Sequence, residues 1–102
     1  MENKYQLVLY DPVIEFLREL PPKDRSKIDA TVQVMLGGDL HSPRIKTLRG
    51  QIKELIVKEY RVTFFIHGQI IYFIRAFRKK SAKTPRREIE YAEQIYKLIT
   101  NA

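Results

Sequence analysis

Three β-prone runs occupy residues 52–58, 60–67 and 70–77, and only a few residues separate each run from the next. β-branched and aromatic side chains are abundant in all three, as is typical of strands. Connections this short join antiparallel neighbours, because parallel strands need a crossover of about a dozen residues or more. The middle of the chain is therefore predicted to be an antiparallel meander on which the remaining segments pack.

The flanking segments contain helix patterns and further strand signals. Apolar spacing, proline and glycine predict a strand over residues 5–10, helices over residues 12–20 and 23–36, and a final helix over residues 85–100. Pro21-Pro22 separates the first two helices, and Gly37-Gly38 ends the second. Asp11 and Thr84 are expected to cap the first and last helices, and a short strand is expected near residues 45–48.

This order of elements predicts one α+β domain over residues 1–102. The predicted sheet is antiparallel and has four or five strands, with a helical hairpin at its N-terminal side and a helix at its C-terminal side. Each predicted helix has an apolar stripe on one side only. We therefore expect helices to cover one face of the sheet and to leave the other face open.

Positive charge is concentrated in the middle of the chain. Nineteen basic and twelve acidic residues give a net charge of +7. Residues 40–87 contain thirteen basic and two acidic residues, a net charge of +11, whereas the segments on either side are each slightly acidic. Such a block predicts a polyanionic partner, with nucleic acid favoured. A solvated basic surface and an acidic protein partner are the alternatives.

Several classes of protein are excluded by what the sequence lacks. It has no cysteine, which excludes disulfides and thiolate metal sites. No apolar run is long enough to span a membrane, and the N-terminus lacks a secretory pattern, so we expect a cytoplasmic protein without membrane contact. No metal-ligand spacing and no glycine-rich phosphate loop occur, so we expect no metal and no other cofactor. His41 and His67 are interpreted as surface or turn residues.

Two strand arginines are candidates for binding RNA. Strict alternation places Arg61 on the face of Phe65 and places Arg75 on the face of Phe73 and Phe77. Either face could be the open one. Arginine among aromatic rings suits RNA, because guanidinium groups bind phosphates and rings stack on unpaired bases. The alternative is that the phenylalanines belong to the core.

The densest basic cluster follows the last predicted strand. Seven cations occur within thirteen residues: Arg75, Arg78, Lys79, Lys80, Lys83, Arg86 and Arg87. Arg86 and Arg87 are expected in the first turn of the final helix, where the helix dipole disfavours cations. A bound anion at this helix end would offset that cost. A solvated flexible loop is the alternative.

Several short motifs together resemble a known family. They are Leu48-Arg49-Gly50, Glu54-Leu55, Tyr60-Arg61-Val62 and the long motif FxKKSxKTPxxEIxxA over residues 77–92. Together with the order of elements, they make nearly the whole chain similar to the RelE/ParE toxin superfamily. The branch it resembles most is that of HigB-type, phage-derived toxins of type II toxin–antitoxin modules. The resemblance implies the RelE-like β-α-α-β-β-β-α fold.

The resemblance also implies a function. Toxins of this branch are metal-independent endoribonucleases that cleave mRNA in the ribosomal A site and so inhibit translation. Their expected partners are the ribosome, mRNA and a cognate antitoxin of the HigA type, with a helix-turn-helix domain, in a toxin–antitoxin complex of higher order. Two alternatives stay open, a gyrase-poisoning ParE-like toxin and a non-catalytic RNA-binding module.

Carried over by position, the resemblance implies roles for individual residues. Arg61 matches the mid-strand arginine that contacts the scissile phosphate, and Lys79 or Lys80 matches the basic position that stabilises the transition state. RNA or ribosome binding is assigned to the other cations, Arg49, Lys53, Lys58, Arg75, Arg78, Lys83, Arg86 and Arg87. Ile56 stands where several relatives have a basic residue, and the C-terminus contains no histidine. The general base and the general acid therefore stay unassigned.

Overall fold

A computed structural model describes residues 3–101 of the chain. Within this range the chain forms five strands and three helices. Their bounds are β1 Gln6–Leu9, α1 Asp11–Arg18, α2 Pro22–Leu36, β2 Arg44–Arg49, β3 Ile52–Val57, β4 Tyr60–His67, β5 Ile70–Arg78 and α3 Arg86–Thr100. The predicted α+β class, helical hairpin and C-terminal helix are confirmed.

One five-stranded sheet, in the order β1-β5-β4-β3-β2, organises the domain. β2, β3, β4 and β5 form the antiparallel part, which confirms the predicted meander. β1 differs, because it pairs parallel to β5 over Gln6–Leu9. The helical hairpin and the meander lie between these two strands in the chain, so the connection is long enough for parallel pairing.

Helices cover both faces of the sheet. α1 and α2 pack on one face, where Val13, Ile28 and Met35 contact inward residues such as Phe64 and Phe73. α3 packs on the other face, in a second cluster made by Ile52, Phe65, Ile74 and Ala92. The expectation of an open face is therefore wrong. The central strands are apolar on both sides, and each side needs its own helical layer.

A β-bulge in β5 changes which way its side chains face. Thr63 pairs with Arg75 and Phe64 pairs with Phe73, so Ile74 is the extra residue. Phe73 therefore faces α1 and α2, whereas Arg75 contacts α3. The predicted alternation, which put Arg75 on the face of Phe73, is wrong beyond this point. The bulge places Arg75 on the same face as Arg61.

The helix caps also differ from the prediction. α1 begins at Asp11 itself, and α3 begins at Arg86 after Pro85, with no side-chain capping hydrogen bond at either N-terminus. The Thr84 hydroxyl group instead donates a hydrogen bond to the Glu54 carboxylate on β3. Thr84 therefore ties the basic loop between β5 and α3 to the sheet.

Candidate active site

A groove of about 410 Å³ opens where β5 extends past the end of β1. Phe16 and Phe77 contribute apolar surface to it. Its cations come from the end of β5, the following loop and the start of α3, and they are Arg75, Arg78, Lys79, Lys80, Lys83 and Arg87. The fold thus brings together six of the seven cations in the predicted cluster. Arg86 is the exception, and it lies 3.7 Å from Glu90 on its own helix.

The lysines of the groove have no acidic partners. Within residues 3–101, no carboxylate lies within ion-pair distance of Lys79, Lys80 or Lys83. All three side chains are exposed to solvent. Adjacent cations without counterions create a strongly positive potential, which favours a polyanionic ligand.

Glu88, in the first turn of α3, is the one carboxylate among the residues that line the groove. It is buried, and its Oε2 atom lies 3.3 Å from Nε of Arg75. The Arg75 guanidinium also stacks over the Tyr91 ring, 5.2 Å from the ring centroid. Glu88 and Tyr91 thus hold Arg75 at the edge of the groove. Glu88 is not among the predicted site residues, although an acidic residue in a first helical turn is a recognisable signal.

Arg61 is buried rather than open to solvent, because only 8% of it is exposed. Its Nη1 atom donates hydrogen bonds to the backbone carbonyls of Lys58 and Tyr60, both at 2.9 Å. Its Nε atom is buried and has no hydrogen-bond partner within residues 3–101. A buried charge is costly unless it is paired, and the two carbonyls are the hydrogen-bond partners that this guanidinium has within residues 3–101. Arg61 is not among the residues that line the groove.

Cross-strand pairing aligns Arg61 with cations that the sequence analysis did not single out. One row across the sheet consists of Arg44, Ile56, Arg61 and Phe77. The next row consists of Lys46, Glu54, Thr63 and Arg75. Residues directly opposite each other share a face, so the exposed Arg44 and Lys46 lie on the Arg61 face. The alternation of Arg44, Ile45 and Lys46 at the predicted strand is the sequence signal that places these two cations on one face.

Two of the predicted RNA-binding cations are engaged in ion pairs away from the groove. Arg49, at the end of β2, pairs with Glu93 of α3, and this carboxylate raises the pKa of Arg49. Lys58, in the turn between β3 and β4, pairs with Asp24 of α2 at 2.8 Å. Asp24 raises the pKa of the Lys58 amine. Both side chains therefore hold helices against the sheet.

Lys53 lies on the opposite face of the sheet from Arg61. It pairs with Phe64, which belongs to the core under α1 and α2. Its Nζ atom is 3.4 Å from the Thr47 hydroxyl group. The structure therefore does not bring Lys53 together with the cations of the groove.

No three histidine, aspartate or glutamate side chains within residues 3–101 come together as a metal site would require. No helix in the same range has the length and apolar character needed to cross a membrane.

Similarity to known sequences agrees with the resemblance read from the motifs. The family described as phage derived protein Gp49-like (DUF891) matches residues 15–97. Proteins from two strains of Mycobacterium tuberculosis, each named probable endoribonuclease HigB1, are 40% identical to this chain over 88 residues. The match covers 82% of this chain and 70% of each relative.

Solved structures share the fold. A double mutant of the E. coli toxin RelE in the free state superposes with a TM-score of 0.64 at 14% identity, covering 90% of this chain and 97% of that one. The RelB-RelE antitoxin-toxin complex from Methanococcus jannaschii gives 0.60 at 18% identity, over 81% and 94%. The chain therefore belongs to the Gp49-like family of phage-derived proteins, is of the HigB type, and has the RelE fold.

Proposed function

We propose that this chain is the toxin of a type II toxin–antitoxin module and acts as an mRNA endoribonuclease that inhibits translation. Two observations support the proposal. The groove at the end of β5 carries six cations against one buried carboxylate. The relatives at 40% identity are named as probable endoribonucleases.

The observation that carries the proposal is the combination of Arg61 with the unpaired lysines. Arg61 has a buried Nε atom without a partner, and Lys79 and Lys80 have no carboxylate within ion-pair distance in residues 3–101. Phosphate oxygens accept hydrogen bonds from guanidinium groups in a fixed geometry. A phosphodiester bound near Arg61 and the lysines would supply negative charge to all three cations.

RNA supplies the nucleophile for the reaction. The 2′-OH attacks the adjacent phosphorus, the bond from phosphorus to the 5′ oxygen breaks, and one proton passes from the 2′ oxygen to the leaving 5′ oxygen overall. The products are a 2′,3′-cyclic phosphate and a 5′-OH end. Arg61 contacts the scissile phosphate, and Lys79 or Lys80 stabilises the negative charge that develops in the transition state.

Other cations serve to bind RNA and the ribosome. Arg75, Arg78, Lys83 and Arg87 lie beside the catalytic cations, and Arg44 and Lys46 extend the basic surface to the sheet edge. Arg86 lies next to this surface at the start of α3. Arg49 and Lys58 are engaged in ion pairs with helices, and Lys53 lies on the opposite face of the sheet, so we assign none of these three to RNA binding. None of the residues that line the groove is a histidine, the side chain that most often transfers protons in catalysis. Cleavage therefore depends on the ribosome, which holds the message and aligns the 2′-OH with the phosphate.

The partner that neutralises this toxin is a cognate antitoxin of the HigA type with a helix-turn-helix domain. Solved relatives of the same fold include the RelB-RelE complex from Methanococcus jannaschii and the RelBE2 complex from Mycobacterium tuberculosis, each a toxin bound to its antitoxin. These complexes support an antitoxin partner for this chain. The complex of this toxin with its antitoxin is of higher order and forms in the cytoplasm.

A purified cleavage assay tests the proposed function. One mRNA is incubated with the toxin, with and without ribosomes, and the ribosome-free arm is repeated with EDTA. We expect cleavage only with ribosomes, and products that end in a 2′,3′-cyclic phosphate or its opened form. Efficient cutting of free RNA that EDTA abolishes would instead identify a metal-dependent nuclease.

A cellular assay separates the proposal from the gyrase alternative. When the toxin is expressed in a bacterial host, incorporation of radiolabelled amino acids should fall before incorporation of thymidine. Early loss of DNA synthesis or supercoiling with continuing translation would assign the chain to the gyrase poisons. Loss of neither, with RNA binding retained, would assign it to the non-catalytic RNA-binding proteins.

A further inference from the structure

A carboxylate on the far side of the sheet is connected to the candidate catalytic arginine. Asp24 lies in the first turn of α2, on the sheet face opposite the one that Arg61 occupies. Its Oδ1 atom accepts a hydrogen bond from Nζ of Lys58 at 2.8 Å, and its Oδ2 atom accepts one from the Tyr60 hydroxyl group at 2.5 Å. Asp24 thus binds both ends of the turn between β3 and β4.

That turn has an unusual backbone conformation. Lys58 has a φ of +54°, in the left-handed region that residues other than glycine, asparagine and aspartate rarely adopt. The conformation persists only where the surroundings enforce it. The ion pair with Asp24 is such a constraint, because the Asp24 side chain is only 13% exposed and lies on a helix that packs against the sheet.

The same turn holds the Arg61 guanidinium. The two carbonyls that accept hydrogen bonds from Arg61 Nη1 belong to Lys58 and Tyr60, which are the two residues whose side chains Asp24 binds. A change in the turn would move both acceptors together. Arg61 would then lose the orientation that these two hydrogen bonds give its guanidinium.

Tyr60 extends this arrangement to the groove. Its ring packs edge-on against Phe16 and lies under the Arg78 guanidinium, 5.5 Å from ring centroid to Cζ. Nη2 of Arg78 also lies 3.4 Å from the Tyr60 hydroxyl oxygen. The hydrogen bond to Asp24 therefore fixes a tyrosine that supports Arg78, one of the arginines that line the groove.

We propose that Asp24 is a positioning residue of the endoribonuclease, which acts from the opposite face of the sheet by fixing the turn that orients Arg61 and the ring that supports Arg78. This inference rests on the proposed function. Asp24 touches no part of the groove, and it acts entirely through Lys58 and Tyr60. Its removal should therefore lower the rate of cleavage on the ribosome without abolishing binding to it.

The test compares two carboxylates on the same helix. Asp24→Asn keeps the shape of the side chain and removes its charge, and Asp29→Asn makes the same change at an exposed residue that forms no ion pair within residues 3–101. Single-turnover cleavage on programmed ribosomes gives the rate at saturating toxin and the toxin concentration at half-maximal rate. We expect Asp24→Asn to lower the saturating rate about 10-fold to 100-fold, with the half-saturating concentration changed less than about twofold. Asp29→Asn should match the wild type.

A mutant cycle shows whether Asp24 acts through Arg61 and Arg78. In a background that carries Arg61→Lys and Arg78→Lys, which removes both guanidinium groups that Asp24 supports, Asp24→Asn should reduce the rate further by no more than about twofold. An equal loss in both backgrounds would mean that Asp24 supports only general stability and would overturn the inference. Wild-type rates in Asp24→Asn would overturn it as well.

Two further results separate the possible failures. If Asp24→Asn does not fold, Lys58→Met removes the same ion pair at a side chain that is 42% exposed. A cycle of Lys58→Met with Arg61→Lys then shows whether the ion pair acts through Arg61. If the wild-type toxin cleaves nothing on ribosomes, the proposed function fails and this inference falls with it. If the wild type cleaves and Asp24→Asn cleaves equally well, only the inference fails.

Discussion

Thr84 and Glu54 are joined by a hydrogen bond in which the threonine hydroxyl group donates to the carboxylate of β3. Thr84 ends the basic loop of residues 79–84, and Glu54 is only 3% exposed on the sheet. Thirty positions separate the two residues in the chain. This contact is the side-chain hydrogen bond that fixes the loop of unpaired lysines over the face on which Arg61 lies.

Thr84→Val should destabilise the protein, because it leaves a buried carboxylate without that donor. We expect the free energy of unfolding in urea to fall by about 1–3 kcal/mol. Thr47→Val is the matched control, because Thr47 is exposed on β2 and valine is favoured in strands. Equal stability of the two variants would show that the Thr84 contact contributes nothing to the fold.

Arg61→Ala should impair both stability and cleavage. The change removes the two hydrogen bonds to the carbonyls of Lys58 and Tyr60, and we expect the free energy of unfolding to fall by about 1–3 kcal/mol. Loss of a cation at the scissile phosphate should also lower the cleavage rate about 10²-fold to 10³-fold. Urea unfolding and single-turnover cleavage measure the two effects separately.

The exposed lysines are the comparison for Arg61. Lys79→Ala combined with Lys80→Ala should leave the free energy of unfolding within about 0.5 kcal/mol of the wild type, because neither side chain has an acidic partner within residues 3–101. The same double variant should lose most of its cleavage activity and most of its toxicity. Full toxicity at equal expression would remove both lysines from the catalytic site.

Local sequence signals were sufficient to predict the order of elements. Short links between β-prone runs determine antiparallel pairing, and the β4 bounds Tyr60–His67 match the predicted strand. Proline and glycine pairs separate the helices within a few residues of their predicted ends. The clustering of the loop cations was also predictable, because they are close together in the chain.

Features that depend on strand register and on packing between elements were not predictable. The bulge at Ile74 arises from the register between β4 and β5, and it reverses the face of Arg75. The alternation of β4 places Phe65 on the same face as Arg61, but only the packed α3 buries that face. The role of Asp24 is invisible in the sequence, because its partners Lys58 and Tyr60 are more than thirty positions away.

Asp39 should contribute to the acid stability of the protein. The Ser42 hydroxyl group and the backbone amides of Ser42 and His41 donate hydrogen bonds to its carboxylate, and they lower the pKa of Asp39 from 3.8 to about 2. A carboxyl group with a lowered pKa in the folded state stabilises the fold above its unfolded pKa, and this contribution is lost as the pH falls through about 2.

The wild type and Asp39→Ala should differ in the slope of the free energy of unfolding against pH. Between pH 3.8 and about 2, the free energy of unfolding should fall less steeply in Asp39→Ala than in the wild type. Asp29→Ala is the control, because Asp29 is exposed and makes no side-chain hydrogen bond in residues 3–101. Urea unfolding at several pH values measures the slopes, and parallel curves for wild type and Asp39→Ala would contradict the assignment.

The unpaired lysines of the groove should determine how strongly RNA binding depends on salt. Each phosphate that a protein neutralises on a single strand contributes about 0.7 to the slope of log affinity against log salt concentration. Replacing Lys79, Lys80 and Lys83 together by glutamine should therefore reduce that slope by about 2. Fluorescence anisotropy of a short 2′-O-methylated RNA, which cannot be cleaved through its 2′-OH, measures the affinity over a series of KCl concentrations.

A charge-matched variant separates the groove from the net charge of the protein. Lys23, Lys27 and Lys97 are exposed on α2 and α3 and do not line the groove. Replacing these three lysines by glutamine lowers the net charge by the same amount as the change in the groove. If the groove binds RNA, the control should keep the wild-type slope, because its lysines contact no phosphate. Equal salt slopes in the two triple variants would show that RNA binding responds to the overall charge of the protein. The groove would then not be the binding site.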